Sequence, residues 1–452
     1  MRWGWLACGL VTVGCNQLLS LGDYRACEGA ECEGGVADAA TDVTTDVTIS
    51  CANSLTCPLA RPVCSSGKCV AVTSLSRGMS AFQCVVLSDT TARCWGHNDF
   101  AQMGSGTSST ASTTTPATVL DSTQSAPLTG VESIVTGLAY ACALMKNGSV
   151  VCWGKDSVSA QPGANTIPLN ASASQISGAA GVTAGQGSMC AVLGDGTAKC
   201  WGANTYGRIG CTSGDAGVGA CGTFTPAVVS ASNPVQLQAT KAIHAIAVGT
   251  YATCAIFGST TDYECWGNDL YGDLGNGTSS SADSCCNAVT VPASSSVFTA
   301  PLDAIEPTDF YTCAHTNAGD WYCWGLNTHS VMFKSTPDVN ESTPVSLGKS
   351  FTAFSPGWRH ACAISNTPPN VVECWGDNAN GESGINVSGG GDQPPQAAHF
   401  LEGATDIASH RLFSCAINGD GQVYCWGSNE GWLLGATKHT GDVLEPLPVG
   451  WD

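Results

Sequence analysis

The sequence predicts an all-β protein built from repeats. Three observations carry that expectation. Across 452 residues the sequence holds 54 glycines and only 12% charged residues, a profile of short strands joined by turns. No stretch sustains a helical apolar stripe. One unit, a cysteine followed about ten residues later by Cys-Trp-Gly, returns seven times at a period of 48 to 64 residues, which marks an array or a propeller.

The first cysteines of the units are Cys84, Cys142, Cys190, Cys254, Cys313, Cys362 and Cys415. The second are Cys94, Cys152, Cys200, Cys265, Cys323, Cys374 and Cys425, each followed by a tryptophan: Trp95, Trp153, Trp201, Trp266, Trp324, Trp375 and Trp426. Between the cysteines, LMKNGSVV and INGDGQVY flank Asn-Gly or Asp-Gly with apolar residues, a strong hairpin signal. A three-residue loop at Gly419, Asp420 and Gly421, with Gly421 left-handed, sets Asn418 against Gln422. Counting outward then sets Cys415 against Cys425. The same count opposes Cys142 to Cys152 and Cys190 to Cys200, close enough for a disulfide. Five units have the ten-residue spacing; Cys254–Cys265 and Cys362–Cys374 are wider and need a longer loop or a bulge. Seven bridges are therefore expected: Cys84–Cys94, Cys142–Cys152, Cys190–Cys200, Cys254–Cys265, Cys313–Cys323, Cys362–Cys374 and Cys415–Cys425. In a reducing compartment the same cysteines would serve as small buried apolar residues. Each bridge closes a short local loop, worth about 2–3 kcal/mol on a chain-entropy argument, and none ties one unit to another. The tryptophan beside the cysteine faces the other side of the strand, so both faces of each hairpin carry bulky apolar groups.

The total of 26 cysteines points to an oxidising compartment, and no C-x-x-C pair suggests a zinc ribbon. The N-terminus fits export. Arg2 precedes an apolar run from Trp3 to Val13 that is too short to span a bilayer, so residues 1–14 read as a signal peptide. VTVGCNQ resembles a bacterial lipobox, with Thr12 where an aliphatic residue is usual; Cys15 would then be lipidated. Residues 15–50 read as an acidic, flexible tether in which Cys27 and Cys32 form a local bridge. Residues 51–72 hold Cys51, Cys57, Cys64 and Cys69, a two-disulfide knob and spacer with three connectivities open. Residues 73–452 carry the repeats.

GWRHACAISNTPPNVVECWGDNANGESG resembles the repeat of the regulator of chromosome condensation family. GMSAFQCVV, GLAYACALM and AVGTYATCAIF match the first half of that repeat, and WGHNDFAQMG, WGANTYGRIG and WGNDLYGDLG its second half. The resemblance implies a seven-bladed β-propeller, preceded here by the disulfide-rich module and the disordered tether. The second unit (WGKDSVSAQPGANTIP) and the fifth (WGLNTHSVMFKSTPDVNESTP) lack the N-x-x-G-x-L-G stretch. Two exit loops carry extra cysteines. A Cys211–Cys221 bridge is expected, while Cys285 and Cys286 either pair with each other or elsewhere.

The net charge of −20, with 16 basic against 36 acidic residues, speaks against nucleic-acid binding and against anionic lipid. Membrane attachment is expected only through the lipid anchor. No H-E-x-x-H, G-x-S-x-G or P-loop motif is present; LGKS at 347–350 lacks the first glycine of a P-loop. His360 stands at the histidine of the family repeat, where a structural hydrogen bond is expected. No catalytic, metal-binding or cofactor-binding residue is nominated, and no cofactor. The expected function is an exported, envelope-anchored or extracellular monomer, not an enzyme. It would bind a protein or glycan at the cell surface through its blade loops. An exchange factor for a small GTPase, as the family resemblance implies, is the alternative; an enzyme with a site over the central channel is the residual one.

Overall fold

In a computed structural model, the described residues run from 49 to 451. Excepted are 108–112, 156–165, 168–175, 205–206, 210–227, 230–234, 238–241, 259–260, 280–288, 292–296, 334–338, 388–391, 399–400, 431–432 and 436–440. The signal peptide, Cys15, the tether with Cys27 and Cys32, and the exit-loop cysteines Cys211, Cys221, Cys285 and Cys286 lie outside the described residues.

Seven antiparallel blades follow one another along the chain, at 72–118, 131–167, 179–237, 243–291, 302–350, 351–397 and 406–448. Blades five and six share one strand, Asn340–Pro356, which pairs with Asp320–Leu326 at one end and with His360–Ser365 at the other. The first strands of blades two to five meet in succession, as do those of six with seven and seven with one, and they form the inner wall of a ring. The last blade, Asp406–Ser409 onward, packs on the first at Val72–Leu75. This is the seven-bladed propeller the repeats imply.

Register follows the hairpin chemistry. In blade seven Asn418 pairs with Gln422 by a backbone bond, and Gly421 is left-handed at φ +77°. Cys415 therefore stands opposite Cys425. In blade two Met145 faces Ser149 across the same short loop, and Cys142 faces Cys152. Blades four and six close instead through longer loops, between Phe257 and Asp262 and between Ser365 and Val371. Opposition at Cys254–Cys265 and Cys362–Cys374 is kept without a bulge between these strands. All seven cysteine pairs form disulfides with Cα atoms 4.1 Å apart.

The core lies as wedges between blades. The tryptophan after each second cysteine fills a wedge, and six of these indoles donate Nε1–H to a backbone carbonyl in the exit loop of the preceding blade. Trp153 bonds Gln102 O at 2.8 Å, Trp266 bonds Arg208 O at 3.0 Å, and Trp324 bonds Asp273 O at 2.9 Å. Trp375 bonds Val331 O, Trp426 bonds Glu382 O, and Trp95 closes the ring on Leu433 O. Because the acceptor is backbone, residue identity at that loop position is free to drift. The exit loop itself is folded by the Asn of the W-G-x-N motif, whose Oδ1 accepts an N–H five residues on: Met103 to Asn98, Ser383 to Asn378, Leu434 to Asn429. Gly104 is then required twice over. Its φ is +68°, and a Cβ there would stand 2.9 Å from the Trp153 Nε1.

The fifth unit, which lacks the glycine signature, keeps this loop. Asn327 Oδ1 accepts Met332 N–H at 3.0 Å, and Phe333 (φ +57°) occupies the left-handed position and packs tilted against Trp375, 4.7 Å between ring centroids.

The cysteine-rich module is a small hairpin, Val63–Ser65 against Lys68–Val70, bridged Cys51–Cys64 and Cys57–Cys69. The Cys51, Cys57 and Cys69 sulfurs lie within 4.8 Å of one another, but all three are disulfide-bonded. The module is more than a spacer. Val63 and Val70 are buried in the wedge that joins blades one, six and seven. Arg93 donates to Cys64 O at 2.8 Å, Ser65 donates to Asp89 at 2.6 Å, and Gln422 of blade seven reaches Leu59 O.

Candidate binding face

Antiparallel strands place the turn between first and second strands, and the loop between third and fourth, at the same end of every blade. The disulfide hairpins turn at the other end. The two ends differ in chemistry. At the hairpin end Asp89, Asn147 and Asp195 each bond the backbone N–H two residues on, and Leu59 of the cysteine-rich module, 62% exposed, lies beside the blade-seven hairpin. The opposite end carries exposed or half-buried apolar groups, among them Leu270 (41% exposed), Val387 (51% exposed), Tyr271 and Phe310.

At that end the first turns hook each blade to the next. Tyr140 Oη donates to Gly185 O at 2.7 Å, and Tyr311 Oη donates to Gly357 O at 2.9 Å. His360 Nε2 lies 2.9 Å from Ser414 Oγ in blade seven. His410 reaches blade one, touching Gly78 O at 2.6 Å, Ser80 Oγ at 3.1 Å and Gln83 Oε1. Burial pushes His360 down to about 4, against the charge of Asp377, and His410 down to about 3. Both are neutral at physiological pH. The Ser–His pairs resemble nucleophile pairs only in distance. His360 is 1% exposed and Ser414 fully buried, so no substrate reaches them; they are inter-blade ties.

The tips of the turns in blades four to seven converge on a cluster that sequence reasoning missed. Tyr251 lies 6.0 Å from Phe310 between ring centroids, Tyr271 packs edge-on to Phe310 at 5.3 Å, and Phe310 lies 6.4 Å from Trp358. Two guanidiniums lie over the Trp358 ring, Arg359 at 4.0 Å and Arg411 at 4.8 Å from its centroid. Among the described residues, neither arginine forms an ion pair. The turn is braced from below. Asp309, buried, accepts from Thr250 Oγ1, and Thr250 O in turn accepts from Arg208. Burial raises the Asp309 carboxyl above its ordinary range, with Thr250 and the Arg411 charge opposing. The signal was present in the two residues between Gly and His of G-W-R-H, positions that the repeat pattern leaves blank.

Asp273 is a further buried carboxyl at this end, as are Asp269 and Glu382. Burial raises Asp273 to about 7. It occupies the slot filled by Gln102 in blade one and Glu382 in blade six, where the side chain accepts a loop N–H: Phe100 to Gln102, Asn380 to Glu382 and Tyr271 to Asp273. The Asp273 backbone carbonyl accepts from Thr312 Oγ1 at 2.9 Å and from the Trp324 indole.

Among the described residues no helix is long and apolar enough to cross a membrane.

Comparison with known proteins agrees with this architecture. The family described as "Regulator of chromosome condensation (RCC1) repeat" matches residues 405–430, the hairpin of blade seven. The chain is 26% identical over 161 residues to the serine/threonine-protein kinase-like protein CCR2 of Arabidopsis thaliana (34% of this chain, 19% of that one). It is 25% identical over 213 residues to the RCC1 domain-containing protein RUG3, mitochondrial, of the same plant (44% and 45%). The chain thus spans less than half the length of either curated relative. In structure it is similar to Prp20p of Saccharomyces cerevisiae, at a TM-score of 0.58 and 15% identity, covering 84% of this chain and 87% of that one. That crystal structure was reported with the binding of Prp20p to Gsp1p and histones. The repeat at residues 405–430 is of the regulator of chromosome condensation type, and the fold is similar to that of Prp20p.

Proposed function

We propose that this propeller of regulator of chromosome condensation repeats is an exported, envelope-anchored or extracellular scaffold that binds another protein through the end carrying the first turns. One observation carries the reading. Four adjacent blades bring aromatic and arginine side chains together at their turn tips, whereas the hairpins at the opposite end are closed by Asp and Asn turns, with Leu59 of the cysteine-rich module as the exposed apolar group there. Trp, Tyr and Arg are the residues in which binding energy concentrates at protein interfaces. The nine disulfides among the described residues support export, since such bridges persist in oxidising compartments. A role as exchange factor draws support from the likeness to Prp20p. It would need those bridges to survive where its GTPase works, in a reducing cytosol.

The test is affinity capture on immobilised protein from envelope and extracellular fractions. Enrichment of one protein, lost when the turn tips of blades four to seven are replaced, is expected. Capture of nothing by the intact propeller overturns the reading.

A further inference from the structure

The Trp358 cluster has the chemistry of a carboxylate receptor, and we propose that it binds an acidic segment of the partner, with an Asp or Glu carboxylate held by Arg359 and Arg411 and an adjoining apolar side chain laid on Phe310 and Tyr251. This deepens the protein-binding reading above and rests on it.

Four features lead there. First, the chain is poor in cations, with 16 Lys and Arg against 36 acids, yet two arginines from different blades converge on one indole. Neither is used in an ion pair among the described residues, although elsewhere Arg77 meets Asp406 at 2.7 Å and Lys349 meets Glu373 at 2.9 Å. Second, a guanidinium held over a ring keeps its planar fork of N–H donors, the set that takes a carboxylate through two parallel hydrogen bonds. Packing over the indole removes part of the side-chain freedom that binding would otherwise cost. Third, the Trp358 Nε1 donor is buried without an acceptor, unlike the six core indoles that each bond a carbonyl. A ligand oxygen entering the cluster would supply one. Fourth, the overall charge of −20 does not oppose this at close range. Exposed charges beyond about 8 Å are largely screened at physiological ionic strength. A neutral glycan has no use for two guanidiniums. The staggered, tilted rings of Tyr251, Phe310 and Tyr271 offer separate contacts for successive side chains.

The test uses the full chain and a fluorescein-labelled peptide of alternating Glu and Tyr, with its Gln–Tyr counterpart and sodium polygalacturonate as comparisons, read by fluorescence anisotropy. The Glu–Tyr peptide should bind saturably and weaken as salt rises. The Gln–Tyr peptide, and the variants Arg359→Gln and Arg411→Gln, should each lose about tenfold, the scale of one charge-assisted hydrogen bond. Arg359→Lys should not restore binding. The arginines are half-buried at turn tips, so the variants should melt with the parent. The proposal falls if the Glu–Tyr peptide does not bind, if the Gln–Tyr peptide binds equally, or if the arginine variants bind unchanged. Tighter binding of polygalacturonate assigns the site to an acidic glycan and also overturns it. Partner capture separates the two readings. A partner retained by the Arg359→Gln, Arg411→Gln double variant leaves the scaffold standing without this site; no partner on the parent protein removes the scaffold.

Discussion

Burial moves Asp273 and the two buried histidines in opposite directions, and each leaves a signature in stability against pH. The folded state holds Asp273 at about 7, above the ordinary aspartate value of 3.8. Between those values the folded chain binds the extra proton, so this group lowers stability as pH rises from about 4 through 7. Asp273→Asn keeps the acceptor for Tyr271 N–H and removes the charge. It should flatten that fall and raise the melting temperature at pH 8 by a few degrees, measured by thermal scans from pH 5 to 8. His360 and His410 are depressed to about 4 and about 3 in the folded state. Their contribution is intact above pH 6.5 and is lost as pH falls through those values. Urea titrations should show a steep loss below pH 6 that His360→Gln makes shallower. At this scale the sequence disclosed what repeats and hid what does not. The seven tryptophans and their cysteines stand out because they recur. Trp358, Arg359 and Arg411 occupy positions that the repeat leaves variable, and only the ring brings them to one place.

At the scale of the element, the exit loop decides how blades lock. Its acceptors are backbone atoms, so the contact from Trp153 Nε1 to Gln102 O depends on loop shape rather than on the loop's side chains. Trp153→Phe leaves that buried carbonyl without its donor and should cost about 1–3 kcal/mol by denaturant unfolding. Gly104→Ala forces a Cβ against the same indole from a left-handed backbone, and its cost should be at least as large. The fifth unit shows why glycine spelling misleads. Asn327 folds the loop through its side-chain oxygen, and Phe333 takes the left-handed conformation while packing against the Trp375 ring. The hairpins were more legible. Asp-Gly and Asn-Gly fix a short loop, the loop fixes the register, and the register places each cysteine opposite its partner.

For the whole molecule the question is how the ring closes, since the first and last blades exchange no strand. Closure rests on Trp95 with Leu433 O, on Trp95 edge-on to Trp451, on Arg77 with Asp406, and on His410 in the turn of blade one. The cysteine-rich module adds Val63 and Val70 to that seam and touches both blades. Removing residues 49–71 should therefore lower the melting temperature on the order of 5 °C, seen by calorimetry, while leaving the blades folded by circular dichroism. The acidic charge and cysteine content readily disfavoured nucleic acid and pointed to an oxidising compartment, but composition has no means of saying which end of a ring meets a partner. The most direct measurement is site-specific photo-crosslinking in an envelope extract. A photoreactive side chain is placed either at Leu412, beside Arg411, or at Asn147 on the hairpin end. Crosslinks to one protein from position 412 and none from 147 are expected. Crosslinks from 147 alone, or from neither position, would contradict a scaffold that binds through its first turns.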